Sequence, residues 1–230
     1  MLSLVPQAAI LTTMTPQTAF TALSETEATR TKLATALTKL QQSIGHIAIG
    51  NSNHFPYGWR KAAKGRTVWR IVEEVINQNL EKHHKSYDID YFSPSESEVG
   101  VYDFIIKLSG DADRVYVNIK SSVLDARSSK DDISKAARLL EFYEQGRTRQ
   151  LFIATFGLEF TSEPLGIRLA EVAVLPTAWL PDIYVNPSNN GNLQSAHYKK
   201  LETAVRRTND QFISELQSAV EVAAVKRRRK

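Results

Sequence analysis

Residues Val101 to Ser122 read VYDFIIKLSGDADRVYVNIKSS, and the pairing of the two halves of this stretch decides the fold. Two apolar runs flank a short polar turn, Ser109–Asp113, that contains a glycine, which is the signature of a β-hairpin. In the second run Val115, Val117 and Ile119 alternate with Tyr116, Asn118 and Lys120, so the two sets face opposite sides of a sheet. In the first run Val101, Asp103 and Ile105 share a face. Closing the hairpin sets position 103 against positions 118 to 120 and gathers Asp103, Asn118 and Lys120. A carboxylate between the apolar neighbours of Asp103 is costly to bury alone. It needs either an ion pair with Lys120 or a metal ion.

Working outward, apolar residues at helical spacing (Phe20, Leu23, Leu33, Leu37, Leu40, Ile44) predict a helix over 17–44, with Pro16 at its start and Gly45 past its end. The stretch from Gly50 to Gly65, GNSNHFPYGWRKAAKG, reads as a loop in which Phe55, Tyr57 and Trp59 pack. A second helix fits 66–81 through Val68, Val72, Val75, Ile76 and Leu80, with Glu73 at the edge of the stripe and Glu74 turned away. A strand is expected at 87–92, and a helix at 130–145 ended by Gly146. Strands are expected at 150–160 and 168–180, a turn-rich loop at 186–192, and a long helix at 195–225. Trp69 and Trp179 are assigned to cores. The stripes of the first and last helices suit either a dimer interface or a cover over the core.

Composition narrows the classes. The chain has 230 residues, 42% hydrophobic and 23% charged, as a globular domain does. No apolar run reaches the roughly 18 residues of a spanning helix, and the opening MLSLVPQAAILTTM lacks the basic start of a signal peptide. A soluble, cytoplasmic protein is the expectation, with no membrane partner. There is no cysteine, and only His83 and His84 of the five histidines are neighbours, which argues against a thiolate or histidine-rich metal site. The net charge of +4 and the terminal KRRRK are compatible with nucleic acid.

Phosphodiester hydrolysis gives the hairpin cluster a purpose. Carboxylate oxygens hold Mg²⁺, the ion polarises a phosphoryl group, and a lysine orients or deprotonates the attacking water. Glu73 is a further oxygen source. The pattern resembles the PD-(D/E)XK motif of restriction-endonuclease-like nucleases. It reads VYDF here, followed by NIKSS with fourteen residues between Asp103 and Asn118. The resemblance implies an α/β fold of the α+β type, a mixed sheet in an αβββαβ core. A single nuclease domain would span 1–230: an N-terminal helix and loop at 1–63, the catalytic core at 64–160, and an added strand, recognition loop and C-terminal helix at 161–230. It implies Asp103, Asn118 and Lys120 as catalytic residues, to which Glu73 is added from its place on the second helix, and Asp103, Asn118 and the Ile119 carbonyl as Mg²⁺ ligands. Tyr102 replaces the proline of the motif, and Asn118 replaces its second carboxylate. That leaves three readings: a natural variant leaning on Asp103 and Glu73, an enzyme disabled by an Asp→Asn change, or a non-catalytic binder. An aspartate at 118 is expected to bind Mg²⁺ more tightly.

A nuclease with so much chain outside its core suggests a type II restriction endonuclease. It would act on double-stranded DNA as a homodimer at a short palindrome, with a companion DNA methyltransferase in the host. A junction resolvase, a sequence-specific DNA-binding protein and an unrelated α/β domain are the alternatives. Sequence reading is expected from the amide-rich segment Asn186, Ser188, Asn189, Asn190, Asn192 and Gln194, since amides pair bidentately with adenine. Arg127, Ser128, Ser129 and Lys130, just past the catalytic strand, are a second candidate set. Asn53, Tyr57, Arg60 and Lys64 are expected to touch DNA from the loop before the second helix.

Overall fold

The computed structural model describes residues 16–60, 64–96, 100–124, 130–188 and 191–228. Arg127, Ser128, Ser129, Asn189 and Asn190 fall outside them, as does the side chain of Lys64.

Among the described residues the chain is a mixed α/β structure of four α-helices and two sheets. Helix α1 (Pro16–Ile44) leads into strand β1 (His46–Gly50), and α2 (Lys64–His83) is followed by β2 (Ile89–Pro94), β3 (Phe104–Leu108) and β4 (Val115–Val123). Next come β5 (Asp131–Lys135), α3 (Ala136–Glu144), β6 (Gln150–Ser162) and β7 (Leu165–Pro176), then the short β8 (Tyr184–Asn186), β9 (Asn192–Ser195) and α4 (Asn209–Arg228). The large sheet runs β1-β7-β6-β4-β3-β2, and only β4 and β6 lie parallel. The small antiparallel sheet runs β5-β9-β8.

Two cores flank the large sheet. On one face Leu33, Leu37 and Leu40 of α1 and Val72, Ile76 and Leu80 of α2 pack with Phe104, Ile106, Val117, Ile119, Phe152 and Phe156. On the other face Leu139, Phe142 and Tyr143 of α3 and Phe212 and Leu216 of α4 pack with Ile133, Ile153, Trp179 and Leu193. Both terminal helices therefore cover core. Gly45, with φ of +59°, occupies the left-handed position past α1, and its N–H reaches the Gln41 carbonyl at 3.0 Å.

Several boundaries differ from the sequence reading. The helix expected at 130–145 is a strand followed by a shorter helix. The residues DDISK pair with β9 from Asp131↔Ser195 to Lys135↔Asn192, and this non-local pairing overrides local helical spacing. The expected loop at 186–192 lies between two antiparallel strands, β8 and β9, with Asn186 and Asn192 paired at its ends, and so agrees with the sequence reading. The last helix starts at Asn209, not near Ser195. The Thr208 N–H reaches Gln211 Oε1 at 2.9 Å and the Gln211 N–H reaches Thr208 Oγ1 at 3.4 Å, a reciprocal cap carried by the sequence TNDQ. His46–Gly50 forms an edge strand on β7, where no element was expected. Val101–Asp103 lies ahead of β3, not in it. Tyr57 does not pack: it is 78% exposed, with the Arg60 guanidinium 5.0 Å from its ring centre.

Candidate active site

Strand β4 carries the site. Its register against β3 (Phe104↔Val117) places Asp103, one residue ahead of β3, beside Asn118. The Asp103 N–H donates to the Val117 carbonyl at 2.8 Å, and Asp103 Oδ2 accepts the Ile119 N–H at 2.5 Å. Backbone groups on one edge of a strand recur every second residue. The Ile119 carbonyl therefore points to the same edge as its N–H, beside the Asp103 carboxylate. Burial raises the Asp103 pKa, against the Ile119 hydrogen bond and the charges of Lys120 and Arg70.

A cleft of about 360 Å³ opens at this end of the sheet. Trp69 and Glu73 of α2 form one wall, Asp131 and Asp132 of β5 with Tyr198 the other, and Lys120 lies between them. Among the described residues Lys120 makes no hydrogen bond and no direct ion pair. Burial pulls its pKa below the ordinary lysine value, opposed by the charges of Asp103, Glu73, Asp131 and Asp132. Burial, then the Asp103 charge, pushes Glu73 up to about 7, against Arg70 and Lys120. Arg70 itself stacks over Trp69, its guanidinium carbon 4.0 Å from the ring centre. The direct Asp103–Lys120 ion pair weighed from the sequence is absent; the charged groups converge without touching.

These donors suit a hard cation. Asp103 and the Ile119 carbonyl present oxygens on one edge, and Glu73 supplies a second carboxylate that has no hydrogen bond or ion pair among the described residues. Among the described residues no three His, Cys, Asp or Glu side chains form a metal cage. A cation here would keep several waters, as Mg²⁺ does.

Asn118 commits its amide nitrogen to the fold. It is 8% exposed, and its Nδ2 donates to the carbonyls of Val101 at 3.0 Å and Ile133 at 3.4 Å, while Oδ1 has no hydrogen-bond partner. Carbonyls only accept, so the amide N–H₂ must face them. The side chain thus ties the segment before β3 and strand β5 to β4. The gain in Mg²⁺ affinity expected of an aspartate at 118 is opposed by the cost of setting an oxygen against two carbonyls. Asn118→Asp is expected to lower stability by about 1–3 kcal/mol, the cost of unsatisfied buried acceptors. The loss should be larger at pH 8 than at pH 5, because the buried carboxyl resists ionisation. Urea denaturation at the two pH values checks this; an equally stable Asp variant at pH 8 removes the tie.

The amide-rich hairpin is also committed to the fold. Asn186 Nδ2 donates to Gln194 Oε1 at 3.2 Å, and Asn186 Oδ1 accepts the Ser188 N–H at 2.9 Å. Asn192 Nδ2 and Gln194 Nε2 both donate to Asp132, at 2.9 and 2.6 Å. These amides hold an acidic residue of the cleft wall instead of standing free for base edges. The Lys130 ammonium lies 4.0 Å from the centre of the Tyr184 ring. Asn53 is exposed in a turn closed by Asn51 Oδ1. Trp59 anchors that loop, packing edge-on against Phe160 and donating to the Thr161 carbonyl at 3.0 Å.

Asp131, Asp132, Tyr198 and Trp69 escape a sequence reading of the site. The first two sit in a stretch with helical spacing, Tyr198 follows a hairpin 78 residues after Lys120 in the numbering, and Trp69 reads as core. No protein-family model matches this chain, and no curated protein matches it with significant sequence similarity.

The raised Glu73 pKa predicts a pH dependence of the metal-free protein. Glu73 ionises near 4.5 in the unfolded chain and near 7 in the folded one. Below pH 4.5 both states hold the proton. Between the two values the unfolded chain gives it up first, so folding stability falls as pH rises to about 7. Glu73→Gln is expected to flatten this component, seen as a smaller drop in the urea midpoint from pH 5 to pH 8 than in the parent. An unchanged drop places the shift elsewhere.

Proposed function

We propose that the chain is an Mg²⁺-dependent deoxyribonuclease of the PD-(D/E)XK type, a type II restriction endonuclease that cuts double-stranded DNA at a short palindrome as a homodimer. The observation that carries the reading is the meeting of Asp103, Glu73 and an unpaired Lys120 at one end of β4. The order α2, β2, β3, β4, α3, β6, with β4 parallel to β6, agrees with the αβββαβ core of that class, although β5 is inserted before α3. Of the three readings of Asn118, its bonds to two carbonyls favour a natural variant that relies on Asp103 and Glu73.

Asp103, the Ile119 carbonyl and Glu73 are the groups that would hold Mg²⁺. When bound, the ion would supply a polarised phosphoryl oxygen and a more acidic water. The Ile119 N–H fixes the direction of the Asp103 carboxylate. Lys120 orients the attacking water and offsets charge on phosphorus. A companion methyltransferase in the host belongs to the same reading.

Incubation with plasmid DNA and Mg²⁺, followed by sequencing of the ends, tests the proposal. Discrete fragments sharing an end sequence are expected. Preference for branched DNA would favour a junction resolvase, and binding without cutting under any divalent cation would leave a DNA-binding protein.

A further inference from the structure

We propose that Lys199 grips a backbone phosphate of the DNA next to the one that is cut; the inference rests on the nuclease reading of the cleft. Tyr116, Asn118, Lys120 and Ser122 form one row on β4, because the strand keeps an unbroken register with β6 through Val123. Each lower member of this row meets the small sheet or the turn that follows it. Asn118 reaches the Ile133 carbonyl, Lys120 faces Asp131 and Asp132, and Ser122 Oγ accepts a hydrogen bond from Lys199 Nζ.

Lys199 is half-buried, yet among the described residues its ammonium bonds only this neutral hydroxyl and no carboxylate pairs with it. The nearby acids are already engaged. Tyr198 donates to Asp131 at 2.7 Å, and Asn192 and Gln194 donate to Asp132. A partly desolvated charge without a counter-charge is unfavourable unless an anion arrives. A compact ammonium held in direction by a hydroxyl suits a phosphate oxygen. Two residues along a strand span roughly 6.6 Å, comparable to the distance between successive phosphates on one DNA strand. With Lys120 at the scissile phosphate, Lys199 falls at the neighbouring one.

The test compares the parent chain with Lys199→Gln and Lys199→Arg. Glutamine keeps a donor for Ser122 and removes the charge; arginine keeps the charge. Binding to a duplex is measured by fluorescence anisotropy in EDTA over a range of salt, and cleavage is measured in Mg²⁺. For Lys199→Gln the slope of log K against log salt is expected to shrink by about 0.9, and affinity at 0.1 M salt to fall roughly eightfold. KM should rise more than kcat falls, and Lys199→Arg should restore the slope. If Lys199→Gln melts like the parent and keeps its slope and KM, the phosphate grip is wrong while cleavage by the parent still upholds the nuclease. If the parent binds DNA with a slope that depends on Lys199 but never cuts, the grip stands and the nuclease reading falls. Absence of any DNA binding overturns both.

Discussion

Asp103→Asn is expected to lower Mg²⁺-dependent cleavage of duplex DNA by about 10²-fold or more while the protein stays folded, the scale on which loss of one positioned charged group acts. The asparagine oxygen still accepts the Ile119 N–H, so the backbone geometry at the end of β3 is preserved. What disappears is the negative charge that a hard cation needs. The same charge helps push Glu73 up, so Glu73 in the variant should titrate below 7, and the pH dependence of stability should move down with it. Asp103→Ala removes both charge and acceptor and serves as the destabilised comparison. Cleavage by Asp103→Asn at the parental rate, with an unaltered Mg²⁺ requirement, would take Asp103 out of the metal site.

Lys120→Met is expected to cost 10²- to 10⁴-fold in cleavage rate, the range for groups that transfer protons or balance charge in a transition state. Methionine fills much the same volume, so packing is kept. The variant leaves Asp103, Glu73, Asp131 and Asp132 without the cation they share. Metal-free Lys120→Met should consequently be less stable at pH 8 than at pH 5, and added Mg²⁺ should recover part of that stability. Sequence-specific DNA binding should survive. A folded Lys120→Met protein that cuts as fast as the parent would reduce Lys120 to a structural charge.

The hairpin was legible because its information is local. The alternation from Val115 to Lys120 and the polar turn at Ser109–Asp113 fix which residues face one another, and β3 and β4 pair accordingly. Glu73 was legible from its place at the edge of a helical stripe. The far wall was not. Asp131 and Asp132 open a five-residue strand whose partner, β9, lies across α3, β6, β7 and β8, and nothing near Asp131 in sequence announces that pairing. The role of Asn118 was hidden for a related reason: its two acceptors, the Val101 and Ile133 carbonyls, are main-chain atoms that leave no trace in residue types. The amides of the β8–β9 hairpin read as free donors because Asp132, which occupies two of them, is 60 residues from Asn192.

The pairing of β5 with β9 also sets an order of events during synthesis. The β3–β4 hairpin is complete once Val123 has been made, but β5 has no strand to lie on until Asn192–Ser195 has emerged. A nascent chain therefore carries Asp103 and Lys120 on a finished hairpin beside an unfinished wall. Such long-range closure is slow compared with hairpin formation. Assembly of the cleft is thereby delayed until Asn192–Ser195 has left the ribosome, a built-in interval between the finished hairpin and the finished wall.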